Sequence, residues 1–122
     1  MSKFFNLSTQ VAREAFAYYA YGRLYGIFDS MTGTRKERLF RARDCLRVEI
    51  TPVIYHNDPQ DVARTEAYAR DSAWTYEQCC ARPLEYPEGD FQSSGYTYRY
   101  YLWLTVAAAI STAAEATRDT DF

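Results

Sequence analysis

Residues 100–114 run for fifteen positions without a charge, between Arg99 and Glu115. No other stretch of the chain constrains its fold as strongly. The run is too short for an ordinary membrane span, and Thr105, Ser111 and Thr112 interrupt it. From Val106 to Ala116 it is rich in alanine, the strongest helix former. Apolar side chains cover nearly the whole circumference of a helix drawn over this segment, so other elements must surround it. The expectation is a central helix from about Tyr96 to Thr117. Tyr96-Thr97-Tyr98-Arg99-Tyr100-Tyr101 also has strand-type side chains, which makes a short strand over 96–101 the alternative.

Three further helices are expected around it. The first spans about Ser8 to Phe28, with Ser8 as N-cap. At 100° per residue Val11, Ala15, Gly22 and Gly26 share one narrow stripe. Two glycines on one face predict a close backbone approach, and Ala107, Ala108, Ala109, Ala113 and Ala114 suit it. Tyr18, Tyr19 and Tyr25 would flank that groove as core residues. The second helix begins at Thr34, where Thr34-Arg35-Lys36-Glu37 forms a capping box. Leu39, Ala42 and Leu46 point inward. Leu46-Arg47-Val48-Glu49-Ile50 alternates with period two, which offers a second strand alternative over 46–50. Thr51-Pro52 is expected to end the helix. The third helix starts at Asp58 as cap and Pro59 at its first position. Its buried stripe is Val62, Ala69, Ala73, Tyr76 and Cys80, and Arg82-Pro83 stops it. Residues 83–95 form the longest loop, and 118–122 a frayed tail. The fold class is mainly all-α: one domain over 1–122, a compact bundle of about four helices with a largely buried C-terminal helix.

Charge and cysteine content narrow the setting. The net charge is −2, which gives no global bias toward nucleic acid. The two halves differ, however. Residues 1–48 carry nine Lys/Arg against four Asp/Glu, a net of +5, while 49–122 carry five against twelve, a net of −7. A basic and an acidic face would steer encounter with a charged partner. Three cysteines, two of them adjacent, make a poor disulfide framework. With no apolar signal segment at the N-terminus, a cytoplasmic location is expected.

No residue set specifies chemistry. His56 is the only histidine, and it sits in a turn leading into a helix cap, without a Gly-x-Ser-x-Gly elbow to serve. Cys45, His56, Cys79 and Cys80 do not make a zinc site, because adjacent helical cysteines point about 100° apart. Cys45 and Cys80 read as small core hydrophobes. Neither phosphate-binding glycine motif occurs. The chain is therefore not read as an enzyme, and no cofactor or metal is expected.

The side chains suited to interfaces are abundant. Twelve tyrosines and two tryptophans accompany twelve arginines, against only two lysines. Tyr, Trp and Arg anchor interfaces because each joins a large contact area to a polar tip. Lys36, Arg43 and Arg47 share one face of the second helix with Phe40 beside them. Tyr68 lies on the polar side of the third helix, Trp74 on a second shelf with Ala63 and Ala67, and Tyr86 and Phe91 in the long loop. These eight are the expected partner-binding residues. A competing reading has loop 83–95 fold over Trp74 and complete the core.

In general character the chain resembles the small, single-domain, motif-poor inhibitors carried by phages and mobile elements, including anti-CRISPR proteins. The resemblance rests on size and interface-type composition and assigns no residue a role. It implies an anti-defence protein that occupies the surface of another protein, including one within a host nucleoprotein complex. The function expected is thus a protein–protein interaction module of inhibitor or adaptor type. The alternative is a nucleic-acid-binding regulator using the basic helix 34–48. No membrane partner is expected, and a homodimer is a further option for covering spare aromatic surface.

Overall fold

The structure is a computed structural model in which residues 5–77 and 95–119 are described. They form four helices: α1 (Gln10–Asp29), α2 (Arg35–Tyr55), α3 (Pro59–Glu77) and α4 (Gly95–Asp119). No strand occurs among the described residues, so 46–50 and 96–101 are both helical. The loop expected at 83–95 lies outside the described residues up to position 94, as does the tail beyond Asp119.

Cross-helix contacts fix the directions of the helices. Arg13 of α1 lies 3.7 Å from Asp61 of α3. Tyr18 meets Tyr68, with ring centroids 6.3 Å apart. Arg23 pairs with Glu49 of α2 at 2.7 Å, and Phe28 packs against Tyr98 near the start of α4. The chain therefore runs up-down-up-down. Helix α4 sits centrally, packed most extensively against α3 and α2, with α1 touching all three. Helices α2 and α3 barely meet. Among the described residues no helix covers the side of α4 opposite α1, and there Leu104, Ala108 and Ser111 are only half-buried.

The expectation of a central C-terminal helix holds. Leu102, Trp103, Val106, Ala109, Ile110 and Ala113 are all buried. Thr105 is buried as well, and its hydroxyl donates to the Tyr101 carbonyl at 2.7 Å, which removes the cost of burying it. Of the stripe read on α3, Val62, Ala69 and Ala73 are buried, with Thr65 among them, Tyr76 is half-buried, and Cys80 and the stop at Arg82-Pro83 lie outside the described residues.

Helix α1 faces the other way from the expected groove. Its buried residues are Phe16, Ala17, Ala20, Leu24 and Phe28. Val11, Ala15, Gly22 and Gly26 are exposed, about 170° around the helix from that face. A Cβ added at Gly22 or Gly26 would meet nothing within 4 Å, so no backbone approaches there. The physical reason is area: burying Phe16, Leu24 and Phe28 removes far more apolar surface from water than a glycine stripe can. Tyr18 and Tyr25 are correspondingly exposed rather than core. The N-cap is Thr9, not Ser8; its hydroxyl accepts from the Ala12 amide at 3.2 Å.

Helix α2 begins where expected, with the Thr34 hydroxyl accepting from the Glu37 amide at 3.2 Å. Gly33, with φ +115°, supplies the left-handed turn before it. The helix does not stop at Thr51-Pro52 but continues to Tyr55. Val53 and Ile54 are buried in line with Leu46 and Ile50, and that burial carries the helix through the proline. Cys45 is exposed, not a core hydrophobe, because it sits about 100° off this buried stripe.

Candidate partner-binding face

Two contacts define the flank of α2 that faces α1. One is the Arg23–Glu49 pair, in which the Glu49 hydrogen bond and charge raise the Arg23 pKa. The other is the Arg38 guanidinium, 4.4 Å over the Phe28 ring. Lys36, Phe40, Arg43 and Arg47 lie on the opposite flank, about 160° around the helix. On α3 the flank facing α1 carries Tyr68, Ser72 and Tyr76. Trp74, Ala67 and Arg70 lie about 170° from it. Both outward flanks therefore border the open side of α4, where Leu104, Ala108 and Ser111 form the floor.

Five of the eight sequence-derived candidates are thus on one side of the molecule: Lys36, Phe40, Arg43, Arg47 and Trp74. Phe40 is exposed, and the Arg43 guanidinium lies 5.2 Å from its ring centroid. Arg43 is also 3.7 Å from Asp44, which partly neutralises it. Arg47 is half-buried and has no ion-pair partner among the described residues. Trp74 is 62% exposed. Tyr86 and Phe91 lie outside the described residues.

Tyr68 belongs to a different place. It joins Tyr18 and Trp103 in an aromatic cluster between α1, α3 and α4. Its ring centroid is 6.4 Å from Trp103 at 88°, while Tyr18 meets Trp103 at 5.2 Å and 85°. Tyr21 stacks on Trp103 at 4.6 Å. Burial first, then the Tyr18 hydrogen bond and the Tyr18 and Glu14 charges, pushes the Tyr68 phenol up to about 12. The cluster borders a cleft of about 360 Å³ whose walls include Asp71, Ser72, Thr75 and Tyr76. The sequence shows each of these residues but not their meeting, because the cleft draws on three helices whose relative rotation no local pattern encodes.

A second cleft, of about 430 Å³, opens at the far end of the candidate face. The end of α2 supplies Ile54 and Tyr55, the start of α3 supplies Val62, Ala63 and Glu66, and α4 supplies Ser111 and Ala114. Glu66 is held by Arg70 at 3.1 Å. Among the described residues no helix is long and apolar enough to cross a membrane.

No protein-family model matches the chain, and no curated protein or solved structure matches it either.

Proposed function

We propose that the protein is a protein–protein interaction module, of inhibitor or adaptor type, that acts by covering a partner's surface with its open α2–α4–α3 face. The observation that carries this reading is the exposure of Trp74 on the same side as the Phe40–Arg43 stack. A tryptophan left 62% exposed forgoes a large hydrophobic gain on folding, and that gain is recovered if a partner covers it. The face has the composition of an interface centre: two aromatics, two arginines and a floor of leucine and small residues. Truncating such anchors to alanine costs roughly 2 kcal/mol or more each when they are central to a contact. An anti-defence inhibitor of a phage or mobile element fits this mode of action, and a host nucleoprotein complex is the kind of partner it would occupy.

The test is affinity capture from native cells with the wild type and with the quadruple variant Phe40→Ala, Arg43→Ala, Arg47→Ala, Trp74→Ala. All four side chains are at least partly exposed, so circular dichroism should show the variant folded. Loss of the wild-type partner is expected. Recovery of the same partner by the folded variant would remove the assignment.

A second reading is favoured by Arg47, which has no ion-pair partner among the described residues and shares its flank with Lys36 and Arg43. Here α2 grips nucleic acid. Affinity would then fall by roughly one log unit per log unit of salt for each phosphate contacted. A low-salt gel shift with no binding to duplex or single strand would dismiss it. Light scattering after size exclusion separates both readings from a homodimer.

A further inference from the structure

The cleft between α1 and α3 lies on the other side of the molecule from the face just described. Trp103, only 3% exposed, forms its floor, and Tyr18, Tyr68 and Tyr76 form its aromatic walls. Tyr18 and Tyr68 both stand nearly perpendicular to Trp103, in edge contact with it at 5.2 and 6.4 Å. Aromatic faces carry negative quadrupole potential and attract cations within about 6 Å of the ring centroid.

Two carboxylates add to that potential. Asp71 lines the cleft, and Glu14 acts on Tyr68 from the α1 side. Neither has an ion-pair partner among the described residues. The Arg99 guanidinium lies 6.0 Å from the Tyr76 ring centroid, so that ring already faces a cation and the remaining attraction comes from Tyr18, Tyr68 and Asp71.

We propose that this cleft binds an alkylated ammonium group. The volume of about 360 Å³ is within the range of small-ligand sites and leaves ample room for a trimethylammonium head. Such a head is weakly hydrated and needs no hydrogen-bond acceptors of its own, which suits rings as walls and one carboxylate at the rim. A primary ammonium finds acceptors in Asp71, Ser72 and Thr75, but it is more strongly hydrated and gives up more water on entering walls made largely of rings.

Choline and its uncharged carbon isostere 3,3-dimethylbutan-1-ol provide the test. In a Trp74→Phe background Trp103 is the only tryptophan, so its fluorescence reports on the cleft alone. Choline is expected to quench it saturably and to bind roughly tenfold more tightly than the isostere. Asp71→Asn, at an exposed position, is expected to weaken choline severalfold while leaving the circular dichroism spectrum unchanged. Tyr18→Ala, also exposed, should abolish saturation. A short peptide carrying a trimethyllysine forms the second arm: tighter binding than choline assigns the group to a protein side chain, and weaker binding assigns it to a free small molecule. Equal affinity for choline and the isostere, or no saturable change with choline or peptide, would overturn the proposal.

Discussion

The side chain of Asn57 holds the main chain of Leu7, fifty positions earlier: its Oδ1 accepts from the Leu7 amide at 2.8 Å. The Nδ2 group donates to the Phe5 carbonyl at 2.9 Å and to the Val53 carbonyl at 2.8 Å. One amide therefore joins the segment before α1 to the end of α2. Leu7 is completely buried, and the Arg13 guanidinium donates to its carbonyl at 3.0 Å. Asn57→Ala would leave the Leu7 amide without its acceptor and free the N-terminal segment. The expected cost is about 2–3 kcal/mol, read as a lower midpoint in urea. Asn57→Asp keeps the acceptor but sets a carboxylate oxygen against the Phe5 and Val53 carbonyls, so it should be no more stable than the alanine variant.

Gly22 and Gly26 weaken α1 without compensation. Both are exposed in the helix, and neither has a neighbour where a Cβ would stand. Alanine narrows the unfolded ensemble and costs nothing in the folded state. Each Gly→Ala change is expected to stabilise the protein by about 0.5–1 kcal/mol, and the double variant by nearly the sum, measured by thermal or urea unfolding. A loss of stability at either position would mean that a backbone does pack on that face.

The contrast between α1 and α3 shows what local pattern encodes. On α3 the apolar residues Val62, Ala69 and Ala73 stand against Glu66, Arg70 and Asp71, so the buried side is readable from period alone. On α1 both sides are apolar: Val11, Tyr18 and Tyr25 on one, Phe16, Leu24 and Phe28 on the other. Only competition for the space beside α4 decides between them, and the larger buried volume wins. The same logic hides the Trp103 cleft, which is set by how α1 and α3 rotate against α4. The basic flank of α2 was legible because Lys36, Phe40, Arg43 and Arg47 recur at helical spacing. Its placement beside Trp74 was not, since no short-range rule relates two helices that barely touch each other.

Tyr98 gives the fold a limit at high pH. Burial, followed by the charges of Tyr25, Tyr21 and Asp29, pushes its phenol from the usual 10.0 up to about 12. A raised tyrosine pKa means that the folded state prefers the neutral form. The associated stability is intact below pH 10, where the unfolded phenol is also neutral, and is lost as pH rises from about 10 to about 12. The slope from Tyr98 is at most about 1.4 kcal/mol per pH unit. Urea midpoints taken between pH 8 and 11.5 should stay level to pH 10 and then fall. Tyr68, also raised to about 12, adds a fall of the same sign, so Tyr98→Phe should make the fall shallower without abolishing it, and an unchanged slope in the variant would place its origin in another group.

Pro52 is the clearest conflict between local preference and tertiary packing. A proline inside a helix has no amide to donate, and its ring crowds the carbonyl four residues earlier, at a cost of about 3 kcal/mol relative to alanine. Helix α2 nevertheless continues for three residues beyond it. Two features make this tolerable. Pro52 is exposed, so the orphaned carbonyl side can turn to water, and the Thr51 hydroxyl donates to the Arg47 carbonyl at 2.6 Å in the same turn. Val53 and Ile54 then bury two branched side chains, each contributing roughly 1.5–3 kcal/mol, which offsets the defect. Pro52→Ala restores the missing hydrogen bond and relieves the crowding, but it also widens the unfolded ensemble. The expected net gain is about 1–2 kcal/mol in urea unfolding, accompanied by slower amide exchange at Val53 and Ile54. A destabilised Pro52→Ala variant would mean that the proline's bend is what directs α2 into the turn at Asn57.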